Sequence, residues 1–297
     1  MAEQDRRVSR VESEYYAHMG FDPEHQREVL RFYVPMFAES ADRDPADREG
    51  PGGKRGPVLE LGCGRGEFLG LLRDAGIQAC GIDLDAGMVE AARAQNLDVL
   101  EGDALAYLHA DPAPGPYQGV FCSHFLEHLT PEQVVHLLAG VRRVLAPGGR
   151  FVAVTPNPAC YAVLSHDFWR DPTHVRFYDV PLVEFFCRQA GFEVESSGTN
   201  PANHPGPPPE FLAREPAVYP GLGDLVEAAM GKLAGPLGPG GKGDGDPSWA
   251  YELAHVVGVL SERLQRTTEA LRELRGAHDS LVWGLYQAND TFVVARR

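Results

Sequence analysis

Two stretches of the chain carry side chains of the types and spacings that chemistry needs. The first is Glu60-Leu61-Gly62-Cys63-Gly64-Arg65-Gly66-Glu67, three alternating glycines between two carboxylates. Such glycines let the backbone turn tightly and approach a ligand closely. A helix start that cradles pyrophosphate has no competing anion, so Glu60 and Glu67 instead suit a cationic ligand. The second stretch is Ser123-His124-Phe125-Leu126-Glu127-His128, answered further on by His166-Asp167-Phe168-Trp169-Arg170-Asp171-Pro172-Thr173-His174. A helical turn beginning at His124 would put His124, Glu127 and His128 on one face. With His174, that face could hold a divalent cation, Mg²⁺ or another, that lowers the pKa of a substrate hydroxyl. Alternatively one histidine, titrating near about 6.5, works alone as a general base. The plainest reading leaves His124 and His128 as hydrogen-bond partners of loop backbone. His128, His174 and Asp167 are the candidate catalytic groups, and His124, Glu127, His128 and His174 the candidate metal ligands.

These segments need elements to hold them. Residues 24–38 have helical apolar spacing (Val29, Leu30, Tyr33, Val34, Phe37), followed by a Pro/Gly/charge linker over 40–57. From Val58 short apolar runs alternate with helical patterns. Strands are expected at 58–61, 79–84, 98–100, 119–123, 150–155 and 192–196, and helices at 67–75, 86–95, 131–145 and 181–190. That alternation predicts an α/β fold with a doubly wound, parallel, Rossmann-like sheet. Residues 201–247 contain ten prolines and ten glycines, which excludes regular core structure. Beyond them Leu253, Val257, Leu260, Leu264, Thr267, Leu271, Leu274, His278, Leu281 and Leu285 fall at alternating spacings of four and three. This is a heptad seam on a helix roughly 50 Å long. It fits a helix folded against its own domain or one that pairs subunits into a homo-oligomer. The β-branched run 291–295 reads as a last strand returning to the sheet. The expected division is therefore 1–57, helical lid and linker; 58–200, core; 201–248, Pro/Gly-rich insertion; 249–288, heptad helix; 289–297, last strand. Tyr15, Tyr16 and Phe21 are the candidate aromatic lid residues.

Composition narrows the function. Over 297 residues, 27 basic against 42 acidic side chains leave a net charge of −15, which repels phosphate backbones and anionic lipid. Nucleic-acid and membrane partners are therefore disfavoured. No apolar run is long enough for a span, and residues 1–10 lack the apolar centre of a signal peptide. Five scattered cysteines, with no C-x-x-C pair, argue against a disulfide framework or zinc ribbon. A cytoplasmic protein is expected.

Asp83 follows Gly62 by 21 residues at the end of the second strand, where a carboxylate can accept from ribose hydroxyls. Asp103 ends the third strand, where it could accept from an adenine amine or simply cap a helix. A nucleoside with a cationic tail and no phosphate is S-adenosylmethionine (SAM). The chain resembles the class I SAM-dependent methyltransferases, through ELGCGRG at 60–66, GIDLD at 81–85, EGDA at 101–104 and APGG at 146–149. The resemblance covers roughly residues 55–200 and the last strand, and implies the seven-stranded sheet of that family. It implies SAM contacts from Glu60, Gly62, Gly64 and Gly66 at the methionine tail. Asp83 and Leu84 would serve ribose and adenine, and Asp103 and Ala104 the adenine edge.

The H-x-x-E-H element at 124–128, with distal His174, is similar to an E-x-x-E-H element of metal-assisted ubiquinone-pathway O-methyltransferases and small-RNA 2′-O-methyltransferases. It departs from them in having His124 where they have the first Glu. The D-P-T-H-V-R-F-Y stretch resembles a loop of bacterial methyltransferases of glycan and natural-product pathways. The resemblance implies methyl transfer from SAM to a hydroxyl of a small-molecule or glycan acceptor. The alternatives are a metal-assisted RNA 2′-O-methyltransferase and a catalytically silent SAM-binding assembly module.

Overall fold

Most strands of the central sheet are apolar runs, and most of the helices packed on it start at a side chain that caps them. A computed structural model describes residues 22–38, 56–204, 206–207 and 248–297. The candidate lid residues and most of the Pro/Gly-rich insertion lie outside these. The chain divides into two compact units, Met1–Gly206 with Tyr286–Arg297, and Pro207–Leu285.

In the first unit α1 (Pro23–Arg31) is capped by the Asp22 carboxylate, which accepts from the Glu24 N–H at 2.9 Å. The periodicity predicts one helix through residue 38, but α1 stops at Arg31 and a 3₁₀ turn follows at Val34–Met36. Pro35 is the reason: it has no N–H to continue the α ladder. Then come β1 (Val58–Leu61), α2 (Glu67–Asp74), β2 (Ala79–Asp83), α3 (Ala86–Arg93) and β3 (Val99–Glu101). They are followed by α4 (Ala104–Leu108), β4 (Tyr117–Ser123), α5 (Pro131–Val144), β5 (Leu145–Pro156), α6 (Val180–Gln189) and β6 (Glu193–Thr199). The last strand of the unit is β7 (Asp290–Arg296). The short α4, capped by Asp103, has no expected counterpart; at five residues it shows no periodicity to read. A capping box at Thr130 and Gln133, with Pro131 at the first helical position, starts α5, as such a pattern does.

The seven strands lie in the order β3-β2-β1-β4-β5-β7-β6. All pair in parallel except β7, which runs antiparallel between β5 and β6. Both faces are covered, so β1, β4 and β5 are buried along most of their length and alternate between two cores. Leu59, Leu61, Val120, Cys122, Phe151 and Ala153 pack with Leu137, Leu138 and Val141 of α5. Val58, Phe121, Val152 and Val154 pack on the other face with Phe68, Tyr33 and Phe37. Phe37 and Tyr33 thus pack into the core.

Strand order reverses at β1, with β2 on one side and β4 on the other, and a doubly wound sheet opens its ligand crevice at such a point. The register Pro156↔Asp290 brings the first residue of β7 to that same edge. In the second unit α7 (Ser248–Leu285) is one continuous helix of 38 residues. Among the described residues no helix is long and apolar enough to cross a membrane.

Candidate active site

The carboxyl ends of β1, β2 and β4 open into a cleft of about 830 Å³. Its first half is made by the glycine loop. Gly62 and Gly66 have φ of +67° and +83°, left-handed values that glycine reaches without strain. A Cβ on Gly62 would also sit 2.8 Å from the Phe125 ring, and one on Gly66 would collide with Leu97. Asp83 holds the loop: one carboxylate oxygen accepts from the Gly64 N–H at 2.7 Å, the other from Asp85 N–H at 2.9 Å. Burial raises its pKa, and those two N–H donors work against the rise. Glu60 lies beneath the loop, and its Oε2 is buried without a hydrogen-bond partner. Burial, then the neighbouring Glu67 and Asp83 charges, push its pKa well above the usual carboxylate range. Arg65 pairs with Glu67 at 3.0 Å. Leu84, Asp103 and Ala104 line the same half, while Asp103 Oδ1 also caps α4 through Ala106 N–H at 2.8 Å.

The second half is assembled from distant segments. After β4, His124 adopts a left-handed φ of +51° and the chain winds into a 3₁₀ turn at Leu126–His128. The Glu127 carbonyl accepts from the Val175 N–H at 2.7 Å and the Arg176 N–H at 3.3 Å, which brings His174 alongside. Ligand atoms of Glu127, His128 and His174 lie within 4.8 Å of one another. The far side of each imidazole is committed. Thr173 Oγ1 donates to Asp171 Oδ1 at 2.6 Å, so it accepts from His128 Nδ1–H at 2.8 Å. His174 Nδ1–H donates to the Phe168 carbonyl at 2.6 Å, its ring tilted 4.4 Å from that of Phe168. In the neutral form of either ring, Nε2 then carries the lone pair. Burial lowers the His128 pKa against the pull of Glu127, and its Nε2, like Glu127 Oε2, is buried without a partner.

His124 is hydrogen-bonded to this cluster rather than one of its three ligands, a departure from the expected set of four. Its Nδ1 meets Glu127 Oε1 at 3.1 Å and its Nε2 meets Asp290 Oδ1 at 3.2 Å. Two carboxylates on two ring nitrogens require both to carry protons. Desolvation opposes that charge, but Asp290 and Glu127 overcome it and hold the pKa well above the ordinary histidine value. Asp290 in turn accepts from Asn203 Nδ2 at 2.6 Å. Asp167 lines the cleft but is paired with His166 at 2.9 Å and Arg170 at 4.0 Å; the structure does not bring it to the cluster. Sequence reasoning misses Asp171, Thr173 and Asp290. The first two stood in view beside His174, and only the strand register reveals the third.

The methyltransferase-domain family matches residues 25–197 of this chain. Over 226 residues the chain is 32% identical to a protein of Mycolicibacterium smegmatis named a probable S-adenosylmethionine-dependent methyltransferase, spanning 75% of this chain and 78% of that one. The chain belongs to the SAM-dependent methyltransferases. This methyltransferase is also 29% identical over 205 residues to the ubiquinone biosynthesis O-methyltransferase of Pseudomonas aeruginosa, across 61% of this chain and 81% of that one. Its fold is that of a SAM-dependent methyltransferase from Archaeoglobus fulgidus, with a TM-score of 0.62 at 23% identity, covering 95% and 98% of the two chains.

SAM is the methyl donor of this methyltransferase, and the donor half of the cleft fits it. The orphaned Glu60 Oε2 beneath a loop with no side chain on Gly62, Gly64 or Gly66 offers an acceptor where a cationic tail can approach. A buried carboxylate oxygen with no donor is costly; a bound cation removes that cost.

Proposed function

We propose that the protein transfers the methyl group of SAM to a hydroxyl of a small-molecule or sugar-containing acceptor. Glu60 and the glycines at 62, 64 and 66 receive the methionine tail. Asp83 receives the ribose diol with the lone pairs its two N–H donors leave free, and Leu84, Asp103 and Ala104 flank adenine. The acceptor hydroxyl loses its proton at Glu127, His128 and His174. The observation that carries this reading is the gathering of ligand atoms of Glu127, His128 and His174 within 4.8 Å of one another, with His128 Nε2 and Glu127 Oε2 buried and without a partner. His128 Nε2 takes the proton, and the Nδ1–H to Thr173 to Asp171 chain stabilises the imidazolium that forms. The sulfonium is already activated, so the remaining requirement is in-line placement of oxygen and methyl.

The same three atoms have the chemistry of a divalent-cation site. Each imidazole is oriented by a hydrogen bond from its other nitrogen, as metal-bound histidines are. Two nitrogens and one oxygen suit a transition ion better than Mg²⁺; bound there, it would lower the pKa of the acceptor hydroxyl. The relatives named as ubiquinone biosynthesis O-methyltransferases favour oxygen as the acceptor atom.

Elemental analysis of the purified protein and methyl transfer from labelled SAM to a panel of phenols, sugars and amines, with and without EDTA, test this. Methylated oxygen is the expected product, with EDTA sensitivity if the cluster works through a metal. Transfer to amines alone, or full activity after His128→Ala, would overturn the assignment.

A further inference from the structure

The seam on α7 is exposed from Leu260 onward: Leu260, Leu264, Leu271, Leu274, Leu281 and Leu285 all lie on the surface. An apolar stripe with a strict 3.5-residue period matches another long helix rather than a sheet, because a period of 3.6 would drift off such a partner. Among the described residues no other helix supplies that partner. Among the described residues the next longest is α5, with 14 residues, whose apolar face is already buried in the core. Outside the described residues the longest proline-free run of sequence is residues 1–21, shorter than the seam from Leu253 to Leu285.

The seam is complementary to itself in one orientation. We infer that α7 pairs with α7 of a second copy as an antiparallel coiled coil, about a two-fold axis between Arg272 and Glu273. In this register Leu260 faces the second copy's Leu285, Leu264 its Leu281 and Leu271 its Leu274. The two polar seam residues then meet each other, Thr267 against His278. Thr267 Oγ1 already donates to the Arg263 carbonyl at 2.9 Å, which leaves its lone pairs to accept from a His278 N–H. Parallel, in-register pairing would instead set His278 against His278, two rings that repel once protonated. Flanking charges agree with the antiparallel register. Arg263 meets Gly284, and Arg275 meets Thr268, so no like charges oppose. The helix carries four arginines against five carboxylates, which removes most of the repulsion that the −15 chain would otherwise bring to self-association.

Light scattering on the full chain, and disulfide formation between Leu264→Cys and Leu281→Cys chains, test the inference. The native thiols are buried or half-buried, and the unsubstituted chain serves as their control. The expected results are twice the chain mass and a cross-link only when the two cysteine variants are mixed. A cross-link within either variant alone would overturn the antiparallel register, as would a mixture that does not cross-link. A single-chain mass at every concentration, or a mass above two chains, would overturn the pairing. Leu264→Lys with Leu281→Lys should halve the mass while SAM still raises Tm, which shows that the first unit is folded. An unchanged mass would count against the seam.

Discussion

The donor and acceptor halves of the cleft are built in different ways. The donor half is made by consecutive residues at strand ends: a glycine loop after β1, tied down by Asp83 at the end of β2. The acceptor half draws His128 from the turn after β4, Asp171, Thr173 and His174 from the segment after β5, and Asp290 from β7. One half is backbone shaped by glycines, the other side chains held by side chains. A common donor can be met by a fixed loop, whereas an acceptor is met by replaceable parts around it.

If the halves are separate in function, substitutions should split their effects. His128→Ala should lower kcat about a hundred- to a thousandfold while leaving the SAM Kd within about twofold, because only a proton acceptor is lost. Single-turnover rates and calorimetry check this, and an equal loss in both would join the halves. Asp83→Ala should weaken SAM about ten- to a hundredfold, since charged acceptors for the ribose hydroxyls and for the Gly64 N–H disappear together. An unchanged Kd would remove Asp83 from the donor site. Thr173→Val should slow turnover about tenfold, and Thr173→Ser should restore it, because the hydroxyl fixes which nitrogen of His128 is protonated. If Val and Ser behave alike, the hydroxyl has no part in orienting His128. Asp167→Asn should change kcat by less than about twofold, since its carboxylate is engaged by His166 and Arg170. Exposed pairs of that kind contribute little; a large loss would return Asp167 to the mechanism.

The glycine loop and its tie to Asp83 are legible in the sequence because their signals are local. Gly62, Gly64, Gly66 and Asp83 sit at fixed distances after apolar runs, and the strands are legible for the same reason, although β5 starts five residues before its expected bound and takes in the APGG of 146–149. The acceptor half is legible in its residue types but not in its geometry. His124, Glu127 and His128 share a face only if an α-turn begins at His124. The left-handed backbone there delays the turn to Leu126 and swings the imidazole onto Asp290. Asp290 itself carries no local mark, since its role depends on a register with Pro156. The residues 201–203, inside a stretch whose composition excludes regular core, form a short 3₁₀ turn that supports Asp290 through Asn203.

The place of β7 has a consequence for how the protein is made. β6 touches the sheet only through β7, and about 90 residues separate the end of one from the start of the other. At ribosomal speed β6 and the outer edge of β5 wait roughly 5–20 s for the strand that fills the gap. During that interval a nascent chain shows two unsatisfied β-edges, and Asp290 has not yet reached His124. The acceptor half can therefore assemble only late in synthesis, after the glycine loop has long left the exit tunnel.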